Sequence, residues 1–176
     1  LERLPDALPV SVASSGGRIV GEEDLPHGPT HIALLDLPAT GDSVSNVPNL
    51  VVAASGDSAG WRRAALLAST DDGVSWQEIG GTAPSAVMGV ALTALPPSSS
   101  ALMDQAHHVD VDLHHDGMEL ANADPSQLLG GANAAMLGQE LFQFANATPI
   151  APRRYRLSGL LRGRRGTEWA MGDHMV

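Results

Sequence analysis

The chain has 176 residues, no cysteine, no lysine and a net charge of −10. This length allows one domain with a sizeable core, and the lack of cysteine excludes disulfides, thiolate metal sites and a cysteine nucleophile. Residues 1–152 contain four arginines and 18 acidic residues, whereas residues 153–176 contain six arginines and two acidic residues. The acidic body and the 3% aromatic content disfavour nucleic-acid binding.

Neither a membrane-spanning segment nor a secretion signal is predicted. The longest apolar run is far too short to cross a bilayer, and the N-terminal residues lack a basic segment followed by an apolar one. The chain starts with Leu1 rather than methionine, so we expect it to be part of a longer polypeptide.

Residues 1–28 are rich in Pro, Gly, Ser and acidic residues and are predicted to be an extended lead-in or edge strand. Residues 29–176 are predicted to form a single β-rich domain. The stretch PPSSS at residues 96–100 is the candidate for an internal hinge.

The first half of this domain is predicted to consist of short strands. Residues 30–37 (THIALLDL) form an apolar run between two prolines, too short for a typical helix, which predicts a buried strand. A loop follows over residues 38–48. The runs 50–56 and 61–70, with an Asp72-Gly73 turn after them, predict a β-meander.

The segment STDDGVSW, residues 69–76, is similar to the Asp-box of sialidase-type propellers, in which aspartate and glycine shape a β-turn. A propeller repeats its blade about every 40 to 50 residues, and the sequence has no second copy of the segment. We therefore interpret it as a hairpin turn rather than a propeller blade.

The second half is also predicted to be mainly strand. Residues 82–95 suit a helix by propensity, but the flanking glycines and prolines favour a strand. Residues 126–137 are small and interrupted by glycine, which predicts a short helical turn or a crossover. Two strands, one from Glu140 and one from Tyr155, close the fold. The predicted fold class is all-β and mainly antiparallel, a β-sandwich or partly open β-barrel with one or two short helical turns.

Residues 107–117 (HHVDVDLHHDG) alternate apolar and polar side chains, which predicts a half-buried antiparallel strand. Its polar face is the best metal-site candidate, because imidazole and carboxylate groups can hold a divalent ion. However, residues two apart on a strand lie about 6 to 7 Å apart, and the spacing matches no established ligand motif. A solvent-exposed face without metal is therefore predicted for His108, Asp110, Asp112 and His114.

Residues 133–168 (NAAMLGQELFQFANATPIAPRRYRLSGLLRGRRGTE) combine a strand pattern with six of the ten arginines. Their order resembles the C-terminal region of the large baseplate and tail-tip hub proteins, of the "megatron" type, of gene transfer agents and related long-tailed phages. The shared signature is an ELxQF strand followed by YxLSxLLRGRRGTE. The resemblance implies assembly around a tail axis, commonly as a trimer, in contact with other tail or baseplate proteins.

The LRGRRGTE segment has two interpretations. Its arginines can bind carboxylates of a neighbouring subunit or phosphates of a surface polysaccharide. Alternatively, its glycines permit a tight turn and Arg162 pairs with Glu168 inside the fold. We favour a structural and intersubunit role, and the candidate residues are Arg162, Gly163, Arg164, Arg165, Gly166 and Glu168.

These features predict a structural and adsorption module of a phage-like tail tip or baseplate, made in the bacterial cytoplasm and located in the virion or particle tail. A host-surface polysaccharide or receptor is a further expected partner, and no cofactor is expected. The alternative is a carbohydrate-binding β-sandwich. Such sites usually stack sugar rings on exposed aromatic residues, but most of the six aromatic residues of this chain are expected in the core. A cell-wall hydrolase is a third hypothesis. The sequence has no G-x-S-x-G, H-E-x-x-H or P-loop motif, so catalysis is not expected.

Overall fold

The computed structural model describes residues 26–37 and 50–172, which form an all-β, mainly antiparallel fold. It contains one short helix and two single 3₁₀ turns, at Arg164–Gly166 and Glu168–Ala170. The strands are β1 (Thr30–Asp36), β2 (Leu50–Gly56), β3 (Ala65–Ala68), β4 (Gln77–Gly81), β5 (Gly89–Ala91), β6 (Asp104–Leu113), β7 (Ala134–Leu137), β8 (Glu140–Ala151) and β9 (Arg154–Leu161), with helix α1 (Pro125–Leu129) between β6 and β7.

The strands form three sheets. β1 pairs with β2 and β3 pairs with β4, each as a two-stranded antiparallel sheet. The remaining strands form a five-stranded sheet in the order β5-β6-β9-β8-β7, which curls into a nearly closed barrel. The predicted fold class is thus confirmed, in its partly open barrel form.

The hydrophobic core lies within the five-stranded sheet. β6 pairs with β9 so that Val109 faces Leu157, and β8 pairs with β9 so that Phe144 faces Leu160. The apolar side of β6 is buried as its alternation predicted. The core cluster consists of Leu95, Val109, Phe142, Phe144, Ala147, Leu157 and Leu160.

Several predicted strands differ from the structure. β1 is present but not fully buried, because only one face of the β1–β2 sheet is partly covered, and Ile32 and Leu34 on the other face are more than half exposed. The meander is wrong, since β2 pairs with β1 rather than β3. The hairpin turn at Asp72 and Gly73 is correct, and both residues have positive φ values of 55° and 89°.

The segment 82–95 contributes only the three residues of β5 to a strand. β5 lies against the end of β6, where Gly89 approaches so closely that a Cβ would meet the Asp112 carbonyl oxygen at 2.3 Å. The preceding residues form isolated hydrogen bonds instead, including Ala86 N–H to the Ala54 carbonyl at 2.9 Å.

The predicted helical turn is α1. Asp124 caps it by accepting from the backbone N–H groups of Ser126 and Gln127, and the Gln127 side chain accepts from the Asp124 N–H. The end of the same segment, residues 134–137, forms the edge strand β7, which the small side chains did not predict. Residues 1–25 of the predicted lead-in over residues 1–28, and the whole predicted loop over residues 38–48, lie outside the described residues.

Candidate functional site

The LRGRRGTE segment begins with a buried ion pair. Arg162 follows the last residue of β9, Glu140 opens β8, and both side chains are fully excluded from solvent. The Arg162 Nε and Nη2 groups donate to the two Glu140 oxygens at 2.6 and 2.8 Å, and the Gly163 N–H donates to the first of these oxygens at 3.1 Å. This two-pronged geometry fixes the end of β9 against the start of β8.

Asp104 supplies a second buried carboxylate at the start of β6. Its Oδ2 lies 3.6 Å from Arg162 Nη1, which also donates to the Pro96 carbonyl at 2.9 Å. Burial raises the pKa of Asp104, but hydrogen bonds from the His107 ring, from backbone N–H groups and from Ser98 outweigh it and lower the pKa to about 2. The carboxylate is therefore ionised at neutral pH.

Glu140, Arg162 and Asp104 thus form a buried ion-pair cluster that joins β6, β8 and β9. Burying ions costs several kcal/mol each unless their partners and hydrogen bonds are complete. Here the guanidinium has acceptors on both sides, and the two carboxylates are bonded further by backbone N–H groups. The cluster therefore makes the relative position of three strand ends specific.

The turn after Arg162 requires an unusual backbone conformation. The φ angles of Gly163, Arg165 and Gly166 are 54°, 57° and 85°, all in the left-handed region that glycine adopts most easily. A Cβ on Gly163 would meet the Cα of Glu168 at 2.8 Å, so the turn also closes on itself too tightly for a side chain there.

The rest of the turn is bonded to β8. The Thr167 hydroxyl accepts from the Leu141 N–H at 3.0 Å and donates to the Arg164 carbonyl at 2.8 Å. The Arg164 Nε donates to the side-chain oxygen of Gln143 at 2.9 Å. Gln143 in turn donates to two backbone carbonyls next to α1.

The structure therefore divides the six candidate residues into two groups. Arg162 and Gly163 are buried and Arg164 is half-buried, whereas Arg165, Gly166 and Glu168 are exposed. The predicted pairing of Arg162 with Glu168 is wrong, because the partner of Arg162 is Glu140. The next residue, Trp169, is also exposed.

The polar face of β6 is not the solvent-exposed surface that was predicted. Asp110 is buried and receives Arg156 Nε and Nη2 at 2.8 Å each, and Arg154 Nε donates to Asp112 at 3.0 Å. The hydrogen bond from Arg156 lowers the pKa of Asp110 despite burial. Of the four residues predicted on this face, only His108 is exposed. We name the pairs of Asp110 with Arg156 and of Asp112 with Arg154 the Asp–Arg ladder of β6 and β9.

No group of three or more potential ligands with metal-site geometry occurs within residues 26–37 and 50–172. The ladder accounts for two of the four residues that were considered as ligands. His114 is not part of the ladder and contacts β2 instead, where its Nδ1 lies 3.0 Å from the Ser55 hydroxyl oxygen.

Sequence reasoning did not identify the partners of the motif. Glu140 lies 22 residues from Arg162, Gln143 lies 21 residues from Arg164, and Thr167 lies 26 residues from Leu141. The sequence did contain one signal, at Glu140. This carboxylate starts the apolar run ELFQF, so it can be buried with that run rather than exposed to solvent.

The aromatic residues divide between core and surface. Phe142, Phe144 and Trp61 are buried, whereas Trp76 and Trp169 are 61% and 72% exposed. Trp76 belongs to the Asp-box loop, and its indole N–H donates to the Gly73 carbonyl at 3.1 Å.

The Asp71 carboxylate fixes the same loop. It accepts from the Ser75 side chain and N–H and from the Ser69 hydroxyl, and these hydrogen bonds lower its pKa to about 2. The loop is thus ordered by its own polar groups, with the indole on its surface.

None of the described helices is long and apolar enough to cross a membrane. The sequence model of the family described as "Rcc01698-like, C-terminal" matches residues 86–176, just over half of the chain. No curated protein matches the chain.

Proposed function

The chain belongs to the Rcc01698-like, C-terminal family, and from that premise we propose that it is a structural module of a phage-like tail tip or baseplate. The family is associated with gene transfer agents of the Rhodobacter type. The matched residues contain all five strands of the curled sheet, the buried ion-pair cluster and the turn that follows it. The proposed work of the module is to position surfaces for other tail proteins.

The observation that carries this proposal is that the conspicuous arginines pair with carboxylates of the same chain, Arg162 in a fully buried pair and Arg154 and Arg156 in pairs at the surface. Arg162 pairs with Glu140, Arg156 pairs with Asp110, and Arg154 pairs with Asp112. Charged groups that are paired with each other stabilise a defined shape and offer less to a substrate or to a nucleic-acid backbone than unpaired charges do. We therefore propose that the domain is not an enzyme and does not bind nucleic acid.

The outward part of the motif is the proposed contact with a neighbouring subunit. Arg165, Glu168 and Trp169 are exposed on one short turn that the buried part holds in place. Tryptophan and arginine are enriched among the residues that dominate protein interfaces. The partner that we propose is another tail or baseplate subunit in a ring around the tail axis, commonly a trimer, within the particle tail.

Replacing Trp169 with alanine tests this contact in assembled particles. We expect a normally folded chain, because the side chain is mostly in solvent, together with a loss of particle assembly. Trp76→Ala is the matched control, because Trp76 is also more than half exposed and lies outside the family-matched residues, and this variant should assemble normally. Particles of Trp169→Ala that assemble normally and fail only at host attachment would replace the structural proposal with a receptor-binding one.

A carbohydrate-binding function is the second candidate, favoured by the exposed indole of Trp76 on its ordered loop. Sugar rings stack on such faces, and the bound polysaccharide would belong to the host surface. Calorimetric titration with neutral and acidic oligosaccharides tests it. Binding that is lost in Trp76→Ala and kept in Trp169→Ala would support this second function. A titration of the native chain that shows only the heat of dilution would exclude it.

A further inference from the structure

Two histidines from different sheets stack against each other. His31 lies in β1 and His114 directly follows β6, with ring centroids 4.0 Å apart and planes tilted by 45°. The His31 Nε2 is hydrogen-bonded to the Asp57 carboxylate, and the His114 Nδ1 is within hydrogen-bonding distance of the buried Ser55 hydroxyl. We name the two rings the histidine pair.

The histidine pair joins the β1–β2 hairpin to the five-stranded sheet, and the hairpin packs loosely elsewhere. A groove of about 1050 Å³ lies between inner hairpin residues such as Ala33 and Leu35 and sheet residues such as Val111 and Leu113. Atoms that border open space lose the dispersion contacts that close packing provides. The polar contacts at the histidine pair are therefore a large part of what holds the hairpin on the sheet.

The charged and titratable groups around His114 disfavour a proton on it. His31 faces it from β1, His115 follows it in the chain, and Arg153, in the β8–β9 turn, donates to the His114 carbonyl at 3.0 Å. Asp57 acts in the opposite direction, but it already accepts from His31.

Burial lowers the pKa of His114 most, and the nearby charge of His31 lowers it further, while Asp57 partly opposes the effect. When the hairpin is docked, the His114 imidazole is therefore neutral at neutral pH.

We infer that the histidine pair makes docking of the β1–β2 hairpin on the five-stranded sheet sensitive to pH, so that the hairpin docks less strongly in mild acid than at neutral pH. Protonation of His114 in the docked state places a cation in a partly buried site beside His31 and Arg153. Undocking relieves that cost, because water then solvates both rings.

The direction of the effect follows from proton linkage. The docked state binds fewer protons than the undocked state, because the pKa of His114 is lower when it is docked. Docking therefore weakens as pH falls below about 6.5, the pKa of an exposed histidine, by up to about ten-fold for each pH unit. The weakening ends once pH falls below the docked pKa.

Undocking uncovers part of the concave face of the sheet. The groove has Val111 and Leu113 on its sheet side and Ala33 and Leu35 on its hairpin side, so undocking opens the groove further.

Amide hydrogen exchange of the full chain at pH 7.5 and pH 5.5, corrected for intrinsic exchange rates, tests the inference. The reporter is the Ala86 N–H, which donates to Ala54 in β2, and the references are the Val109 and Leu157 amides in the core. We expect Ala86 to lose protection by at least a few-fold at pH 5.5, together with loss of the nuclear Overhauser contact between the His31 and His114 rings. The reference amides should not change.

His114→Gln keeps a group that can bond Ser55 and cannot take a proton, so its Ala86 protection should be the same at both pH values. His108→Gln, an exposed histidine on β6, is the matched control and should respond like the native chain. A native chain with equal Ala86 protection and an intact ring contact at pH 5.5 would overturn the inference. The same conclusion follows if His114→Gln retains the full pH response.

His31→Gln gives a second variant in case His114→Gln fails to fold. It removes the nearest titratable neighbour of His114, so the pH response should shrink. An undiminished response in this variant would exclude the histidine pair as its source.

Discussion

Arg162 has its whole side chain out of water, so removing it leaves the Glu140 carboxylate buried without its main partner. Such an uncompensated charge typically costs about 3–5 kcal/mol. We expect Arg162→Ala to lower the free energy of unfolding by about that amount in urea titrations at pH 7. Arg164→Ala, which breaks one bond of a half-buried side chain to neutral Gln143, should cost only about 1 kcal/mol.

A double replacement distinguishes pairing from packing. Arg162→Met combined with Glu140→Leu removes both charges and keeps the volume, so it should recover most of the stability that Arg162→Met alone loses. Equal losses in the single and double variants would mean that the ion pair itself contributes little, and that the guanidinium is needed for packing or for its bond to Pro96.

Asp104 predicts a specific loss of stability in acid. Its pKa in the folded chain, about 2, is below the ordinary value of 3.8, so the folded state binds this proton less readily than the unfolded state. The contribution is therefore complete above about pH 4 and is lost as pH falls toward 2. From the shift it amounts to about 2 kcal/mol.

Urea unfolding of the native chain and of Asp104→Asn between pH 2 and pH 6 measures this contribution. The two stability curves should converge near pH 2, separate between about pH 2 and pH 4, and then stay a constant distance apart, with the native chain more stable. Parallel curves would show that Asp104 titrates equally in the folded and unfolded states. Asp71 and Asp110 also have lowered pKa values, and both remain in each protein.

At the scale of the elements, the turn after β9 depends on two glycines for different reasons. Gly166 has a positive φ, and a Cβ added there would have no atom within 4 Å, so Gly166→Ala should cost only the backbone preference, about 1 kcal/mol. Gly163→Ala adds a collision with the Glu168 backbone beside the buried ion pair, and about 2–4 kcal/mol is expected. Equal thermal unfolding midpoints for the two variants would contradict this difference.

The same elements show which structural features a local sequence pattern can predict and which it cannot. The alternation in HHVDVDL correctly predicted β6 and the burial of Val109 and Leu113, because period-two burial is a local property. The partners on its other face were not predictable, since Asp110 meets Arg156 at a separation of 46 residues. β7 was missed because its small side chains carry little strand preference, and its neighbour β8 supplies the pairing.

The candidate site follows the same rule. The glycines predicted the turn, whose backbone demand is local, whereas the Arg162–Glu140 pair depends on the register between β8 and β9. The wrong pairing of Arg162 with Glu168 came from choosing the nearest carboxylate in the sequence. In the fold, the nearest carboxylate comes from a different strand, 22 residues away.

For the whole molecule, the distribution of buried residues predicts where independent stability lies. The main core cluster extends from Leu95 to Leu160 and the buried ion-pair cluster from Asp104 to Arg162, all within the family-matched residues. The two-stranded sheets instead leave several large apolar side chains exposed, including Ile32, Leu34, Leu67 and Ile79. We therefore expect a chain of residues 86–176 to fold cooperatively by itself.

Urea unfolding and amide exchange of that shortened chain provide the measurement. A single transition with a smaller m value is expected, because less surface is exposed on unfolding, and the Val109 and Leu157 amides should remain protected. A chain of residues 104–176 is the matched control. It lacks β5 and the fully buried Leu95, and should lose that cooperative transition. If residues 86–176 are also unfolded, the hairpins are integral to one domain from residue 29, as the sequence predicts, and the core of the sheet cannot form without them.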